Sequence, residues 1–496
     1  MTLTPLYNRT QQVFALNIFS NYAGNKKAPV EDLQNDLSKI LNALLTDSRM
    51  QRYIGEWNVV WGPVVGSFGK DAQRQVASNA LYVAKNQDGT YVVATSATNP
   101  ISSYGWLTED FDVENMVVWE GLDQANPAAP RISNGSSTGL SHLLGLESNG
   151  VTLAAFLKQT FATSTSTHDL IVTGHSLGGA LSACLALYLL NTQADWNPAK
   201  TMVVCAMPTA GASPGNLAFS NYYNNLLGHR TQRFWNKLDP VPHGWQHDML
   251  ESAPFLYYPY FTPNVLLQGL VALALERSVK GTMPYPAGGP YTQLLPQTPP
   301  LPGQVNITLT QPLPASTVIQ FLVDMELKKI LAHFGITGLI ANTLISICNS
   351  IIQHFDSSAT VDDALDWIKH EFEKIFGKHE YLNHLFSLLE IVFKQFEGVL
   401  LYLLQLGYQH VSTYYDLMDM KNMKNLADNI LNSEISSRKL DSAYLDINTK
   451  LNNPLEGLKT IGEDLSKIIQ ELLTTDFVQQ MGIPNIPEGV SEPMPL

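Results

Sequence analysis

Residues Asp169–Leu190 read DLIVTGHSLGGALSACLALYLL, and the fold turns on them. Leu170, Ile171 and Val172 form the apolar run of a strand buried on both faces. Gly174-His175-Ser176-Leu177-Gly178-Gly179 then predicts a sharp turn. Ala180, Ser182, Ala183 and Ala186 are small enough for the next helix to lie close on a sheet. Gly-x-Ser-x-Gly at a strand-to-helix turn is a nucleophile elbow. The turn lifts the Ser176 hydroxyl above the sheet edge. Gly174 and Gly178 flank it because a side chain at either would collide with the strand or the helix. The Leu177 amide opens the helix, where an unpaired N–H and the positive dipole end face a developing anion. The expectation is nucleophilic attack by Ser176 on a carbonyl carbon, against the plainer alternative of a Gly-rich turn with an ordinary serine.

Composition narrows the surroundings. The 496 residues are 45% hydrophobic, enough for a large core. A net charge of −14, with no basic block, excludes a nucleic-acid partner. It also argues against electrostatic docking on anionic membranes. Cys184, Cys205 and Cys348 imply no disulfide framework; the first two sit in apolar stretches as small core residues. Residues 1–24 lack a basic segment followed by a continuous apolar one. No signal peptide is expected, and localisation stays open. There is no H-E-x-x-H and no paired C-x-x-C, so neither a metal nor an organic cofactor is expected. The acidic run Glu109-Asp110-Phe111-Asp112 reads as solvated surface or a helix start before it reads as a calcium site.

Around the elbow the chain alternates. Residues 1–57 read as helical, with Leu33, Leu37, Ile40, Leu41 and Leu44 on one face. Residues 81–98 predict two strands around Asp88-Gly89. Residues 201–206 predict a buried strand ending at Pro208-Thr209-Ala210-Gly211, and 231–238 a further short strand ending at Asp239-Pro240. This rhythm fits a doubly wound α/β sheet. Seven prolines between 284 and 302 predict loop or extended linker. Residues 317–406 read as helical and apolar. The uncharged stretch 331–355 is long enough to span a bilayer, but Gly335, Gly338, Asn342, Ser346, Asn349 and Ser350 interrupt it. A buried or lid helix is expected there. From 454 on, Leu455, Leu458, Ile461, Leu465, Ile468 and Leu472 recur at helical spacing.

A serine hydroxyl needs a base to take its proton and an acid to orient that base. In α/β-hydrolases the order is Ser, then Asp or Glu, then His. Asp239, at a strand end and held by Pro240 and Pro242, is the leading acid, with Asp248 as the alternative. His243, His247, His333, His354, His370, His379, His384 and His410 all come after it. His410, in LGYQHVSTYYDL after an apolar run, stands out; His379, in FGKHEYLNHL, is second.

Taken in order, these blocks resemble the class 3 lipases, a fungal-lipase-like branch of the α/β-hydrolases. Residues 92–112, VVATSATNPISSYGWLTEDFD, are similar to that family's strand ending in Arg-Gly-Thr or Arg-Gly-Ser, with a Trp and an acidic residue after it. GHSLGG is its usual elbow, and CAMPTAGAS (205–213) resembles its next strand and turn. NKLDPVPHGW (236–245) resembles its Asn-x-x-Asp-x-Val-Pro block, which implies Asp239 as the triad aspartate. YQHVSTYY (408–415) resembles its closing His-x-x-x-Tyr block, which implies His410 as the triad histidine. The resemblance also implies an oxyanion hole made by Thr98 together with Leu177. Here the chain departs from the family, because Ser96-Ala97-Thr98 replaces Arg-Gly-Thr and so loses a buried charge and a flexible glycine.

What the resemblance implies is an α/β-hydrolase fold: a mostly parallel central sheet flanked by helices, with a large helical cap insertion. The core is expected in 1–255 and 396–496 with helical extensions at both ends. Residues 256–395 are expected to be a Pro-rich linker and a helical cap. Phe355, Phe372, Phe376, Phe386 and Leu389 would line an apolar trench in such a cap, or serve as ordinary core. Ile336, Leu339, Leu344 and Ile347 are the candidates for a membrane-touching face. The implied function is serine-dependent hydrolysis of carboxylic esters in acylglycerol lipids through an acyl-enzyme, without a cofactor. The partner would be a lipid or small ester substrate, met in transient contact with a lipid–water interface. The alternatives are a shorter-chain carboxylesterase or phospholipase A1, an acyltransferase, and a non-catalytic lipid-binding protein on the same fold.

Overall fold

The strands in chain order are β1 (Trp57–Gly66), β2 (Asn79–Asn86), β3 (Tyr91–Thr95), β4 (Met116–Val118), β5 (Arg131–Ser133), β6 (Glu147–Ser148), β7 (Val151–Thr152), β8 (His168–His175) and β9 (Met202–Thr209). Five of them make the main sheet, in the order β1-β2-β3-β8-β9. This is a computed structural model, and it describes residues 4–99, 112–279 apart from 124 and 127, and 289–440 apart from 334, 335, 357, 379 and 438.

The sheet has two halves. β1, β2 and β3 are antiparallel, and the β2–β3 hairpin closes at Asp88-Gly89, where Gly89 takes a φ of +82°. β3, β8 and β9 are parallel. Parallel neighbours need a crossover, and the helix Leu177–Asn191 supplies the one between β8 and β9. The elbow therefore lies in the parallel half, as an α/β-hydrolase requires.

The strand expected over 231–238 is not a regular one. It touches β9 through isolated parallel bridges, Ala206 with Thr231 and Thr209 with Phe234. Pro208, inside β9, has no N–H to give; its carbonyl still accepts from Phe234 N at 3.0 Å.

The two sheet faces carry separate cores. On one, the helices Arg9–Phe19 and Val30–Thr46 pack with Leu33, Leu37, Ile40, Leu41 and Leu44 fully buried. On the other, the helix Leu177–Asn191 lies with Leu181, Leu185 and Leu189 buried. The small residues Gly139 and Ala183 let helices approach there; a Cβ on Gly139 would press on Leu181.

The chain divides into two units. Among the described residues the first comprises those of 4–253, 275–304 and 408–440 and the second those of 254–274 and 305–407. The described part of the Pro-rich stretch belongs to the first unit and is bound into it. Tyr291 donates to Val113 O (2.8 Å), Trp235 Nε1 to Thr298 O (3.0 Å) and Lys237 N to Leu301 O (3.1 Å).

The second unit is helical: Ala315–Asp324, Leu327–His333, Gly338–His354, Val361–Phe376 and Glu380–Gly407. Aromatic residues of these helices and of the loop at Phe355 pack on one another. Phe372 packs on Phe376 and Phe386 (ring centroids 5.3 and 6.0 Å), and Phe355 packs on Trp367 (5.5 Å). Ile336, Leu344 and Ile347 are buried, so of the four residues considered for a membrane-touching face only Leu339 is exposed. Among the described residues no helix is long and apolar enough to cross a membrane. The three cysteines are free, Cys184 and Cys348 buried and Cys205 partly so. The helix expected from residue 454 lies outside the described residues.

Candidate active site

Ser176 sits at the apex between β8 and its helix with φ 59° and ψ −125°. A non-glycine residue there carries strain of about 1–3 kcal/mol, and the surroundings must hold it. They do so with main chain. Ser176 N donates to Thr209 O (3.0 Å), while Gly179 N and Ala180 N donate to Ser176 O (2.8 and 3.2 Å). A Cβ on Gly174 would strike the Gly178 carbonyl, and one on Gly178 would strike the Thr95 and Ser96 carbonyls. Leu177 is the first helical residue, so its N–H has no acceptor within the helix.

His410 lies against the apex. Its Nε2 is 2.7 Å from Ser176 Oγ, and its Nδ1 is 2.8 Å from Asp239 Oδ2. Asp239 is wholly buried, while 12% of the His410 side chain is exposed. The carboxylate has further donors. Tyr414 OH donates to Oδ2 (2.9 Å), and Val241 N donates to Oδ1 (3.1 Å). The Tyr414 oxygen accepts in turn from Asn236 N at 2.9 Å. Burial first, and then the charge of Asp239, push the Tyr414 hydroxyl well above its ordinary pKa. It therefore stays protonated and acts as a donor.

The turn carrying His410, Tyr408–Ser412, is a single π-helical turn, a form that recurs at functional positions. Side chains hold it. Asn236 Nδ2 donates to Gln409 O (3.1 Å) and to Gln409 Oε1 (2.8 Å). Gln409 Nε2 donates to Gln304 O (2.6 Å), and Thr413 Oγ1 to Tyr408 O (3.0 Å). His175 Nε2 is 2.7 Å from His410 O, and its ring lies 4.8 Å from that of His410 and 5.1 Å from that of Tyr414. Burial, and then the neighbouring His410, hold the His175 pKa well below the usual histidine range. His175 is thus neutral, and the nitrogen facing a carbonyl must be the one that carries hydrogen.

Thr98 is partly exposed and lies three residues past Thr95, whose parallel register partner is Gly174. The loop without the family's Arg-Gly is braced otherwise. Ala97 N donates to Asn21 Oδ1 (2.7 Å), Ala80 N to Ser96 Oγ (2.8 Å) and Asn99 Nδ2 to Ala77 O (2.8 Å). Residues 100–111 of the resembling block lie outside the described residues, and with them Glu109, Asp110 and Phe111.

The other candidates go elsewhere. Asp248 is exposed beside His247, 3.3 Å away. His243 is buried with its two ring nitrogens near Met249 O and Lys237 O (3.2 and 3.3 Å). His333, His354, His370 and His384 are exposed, and His379 lies outside the described residues. Among the described residues one group, the part-exposed His247 with the exposed Asp248 and Glu251, has ligand atoms close enough to share a cation, within 4.8 Å of one another. Exposed acidic groups of this kind are common without a metal.

Residues 136–248 match the model of the lipase (class 3) family. In that stretch the chain is similar to the class 3 lipases. M37 lipase, a solved structure, is 29% identical over 62% of this chain and 88% of its own, with a TM-score of 0.52. Lipase II from Rhizopus niveus is 18% identical over 49% of this chain and 78% of its own, with a TM-score of 0.32. The Rhizomucor miehei triacylglyceride lipase is 17% identical over 47% and 75%, with a TM-score of 0.31. No curated protein matches the chain. The class 3 lipase match covers the elbow and Asp239 but ends before His410. The chain is accordingly a lipase-like carboxylic ester hydrolase of the α/β-hydrolase fold.

Sequence reading gave no role to four residues that contact Ser176, His410 or Asp239 directly or through one neighbour: His175, Asn236, Gln409 and Tyr414. Tyr414 carried a signal, since it stands four residues after His410, one helical turn on. Asn236 opens the block that holds Asp239. Gln409 and His175 carried none, because their partners are remote in sequence.

Proposed function

We propose that the chain hydrolyses ester bonds of acylglycerol lipids through Ser176, His410 and Asp239, by way of an acyl-enzyme. The observation that carries this reading is the hydrogen-bonded line from Ser176 Oγ through the His410 ring to Asp239 Oδ2, at 2.7 and 2.8 Å. His410 Nε2 takes the serine proton as Oγ attacks the carbonyl carbon. Asp239 holds the imidazole in place and stabilises the imidazolium without being protonated itself. Leu177 N–H, with Thr98, receives the oxyanion; loss of one such donor costs about 10²–10³ in turnover. His410 then protonates the leaving alcohol, and water deacylates Ser176 by the same route.

The test pairs a serine-directed alkyl phosphonate with hydrolysis of short- and long-chain triacylglycerols. The reading expects stoichiometric labelling at Ser176, cleavage of long chains, and neither in Ser176→Ala. Cleavage confined to short chains would make the protein an esterase. An unlabelled chain that cleaves nothing would leave a lipid-binding protein on a hydrolase fold.

A further inference from the structure

Behind the elbow, on the sheet face away from the helix Leu177–Asn191, lie polar atoms that the proposed chemistry does not use. His175 Nδ1, Thr209 Oγ1 and both polar side-chain atoms of Asn17 are buried and have no hydrogen-bond partner among the described residues. His175 is 4% exposed, Thr209 and Asn17 not at all. An orphaned buried donor or acceptor costs about 1–3 kcal/mol, so four on one face of the sheet call for an account.

The fold brings them to one face of the sheet. His175 and Thr209 are register partners on β8 and β9, so their side chains leave the same face of the sheet. Met207, two residues before Thr209 and on its face, is packed in the core that the helix Arg9–Phe19 helps to build. Asn17 is on that helix, which packs on β8. The helix crosses the sheet. Near its start Thr10 Oγ1 donates to Gln232 Oε1 (3.1 Å), in the stretch bridged to β9. Just past its end Asn21 Oδ1 accepts from Ala97 N (2.7 Å), beyond β3. β8 runs between those two flanks and ends at His175.

The chemistry of the atoms is complementary without their bonding one another. His175 Nε2 faces the His410 carbonyl and carries the hydrogen, which leaves Nδ1 as a bare acceptor. Asn17 offers two hydrogens and an oxygen, and Thr209 a hydroxyl that gives and takes. One water needs two to four such partners, and buried waters commonly make about three hydrogen bonds.

We propose that Asn17, Thr209 and His175 form a buried water site behind the nucleophile elbow, and that through it His175 is a positioning residue for His410. Water donating to Nδ1 locks His175 as the Nε2–H tautomer. That tautomer's hydrogen bond to His410 O then fixes the π-helical turn that presents the imidazole to Ser176. The low pKa of His175 agrees, because a protonated ring would place a hydrogen where the water's own must point. The kinetic part of this inference rests on the proposed function, in which His410 is the base.

The test uses the full chain in three measurements. The first is ¹⁵N NMR of histidine-labelled protein, expected to show His175 neutral with its hydrogen on Nε2. The second is a crystal structure fine enough to show ordered water, expected to place one within hydrogen-bonding distance of His175 Nδ1. The third is kinetics of His175→Leu, expected to lower kcat about tenfold with KM within about twofold, inside the hundredfold that ~1 Å of misplacement can cost. His175→Gln, whose amide nitrogen reaches the place of Nε2, is expected to restore most of the rate. Asn17→Leu is expected to shift the His175 nitrogen signals and to lower kcat less. Hydrogen on Nδ1, a direct Asn17–His175 bond with no water between, or an unchanged kcat in His175→Leu would each overturn the proposal. The first two measurements need no activity and no variant that must fold. A failure of the proposed chemistry, seen as an active Ser176→Ala, is therefore distinguishable from a failure of the water site.

Discussion

Ser176 and His410 meet at 2.7 Å but are held by different means. Ser176 is held by main chain. Sheet register, three backbone hydrogen bonds and glycines too tight for a Cβ fix its strained φ. His410 is held by side chains. Asn236, Gln409, His175 and, through Asp239, Tyr414 hold a π-helical turn that local backbone geometry would not favour. Backbone pairing is cooperative with the whole sheet, whereas a buried amide pair fails one residue at a time. The serine half of the site should therefore respond to substitution all or none, and the histidine half in graded steps.

The largest effect is expected at the serine itself. Ser176→Ala removes the proposed nucleophile while leaving the elbow's main chain intact. Turnover of a triacylglycerol should fall by about 10⁶, the loss seen when a serine hydrolase loses its serine, with the melting temperature little changed, since alanine keeps the Cβ and the strained φ. Gly178→Ala breaks the same half differently. Its Cβ meets the Thr95 and Ser96 carbonyls, which cannot yield as a flexible side chain would. Activity and stability should fall together, stability by about 1–3 kcal/mol or more. A Gly178→Ala protein with normal activity and normal melting would break the comparison at its rigid end.

Gln409→Leu tests the other half. It takes from the buried Asn236 Nδ2 its 2.8 Å acceptor, leaving the 3.1 Å Gln409 carbonyl, and from Gln304 O, on an exposed residue, its 2.6 Å donor. The cost of roughly 1–3 kcal/mol for a buried group with no partner is an upper bound here, since Asn236 Nδ2 keeps one acceptor. Turnover should fall tenfold to a hundredfold, the range expected from ~1 Å of misplacement, with KM little changed. Tyr414→Phe is gentler. It removes one of three groups on Asp239 and the acceptor of Asn236 N, but leaves the His410 and Val241 N–H contacts in place. We expect a loss in kcat of a few-fold, and an equal loss from Tyr414→Phe and Gln409→Leu would show that the turn is not held in graded steps.

The same division decides what the sequence discloses. The elbow is local: apolar strand, glycines and small helix residues lie within about twenty positions, and each has a steric reason that reads directly from residue type. Asp239 is nearly as legible, since its turn is built by Asn236, Pro240 and Pro242 around it. The His410 turn is different. Gln409 works by reaching Gln304 and Asn236, residues 105 and 173 positions away, and a glutamine beside a histidine says nothing of such partners. The stretch 231–238 read as a short strand ending at Asp239-Pro240, yet Pro208 in the neighbouring β9 lacks the N–H that would continue the ladder, and the pairing is confined to bridges. The seven prolines between 284 and 302 read as linker because proline excludes regular structure, and residues 289–304 are the part of that region described. In the molecule these residues lie along the Asp239 segment and supply the Gln304 carbonyl.

The smallest expected effect concerns pH and stability. His175 and His243 are both buried, and burial is the leading reason that both have pKa values below the ordinary 6.5. In the unfolded chain each would bind a proton below about pH 6.5; in the native protein each stays neutral to lower pH. The unfolded state thus binds more protons as pH falls below that value, and stability is lost in that direction, by up to about 1.4 kcal/mol per pH unit for each such group. Above about pH 7 neither contributes a slope. The two should differ. Both ring nitrogens of His243 face carbonyl oxygens, which favour its charged form and offset burial. His175 has a carbonyl at Nε2 alone and the His410 ring beside it. Urea unfolding from pH 5 to 8 should therefore show a midpoint that rises to about pH 7 and levels off. His175→Gln should remove more of that rise than His243→Gln. If the double substitution kept the full slope, the acid sensitivity would belong to carboxylates, and the neutral His175 on which the held turn depends would lose its support.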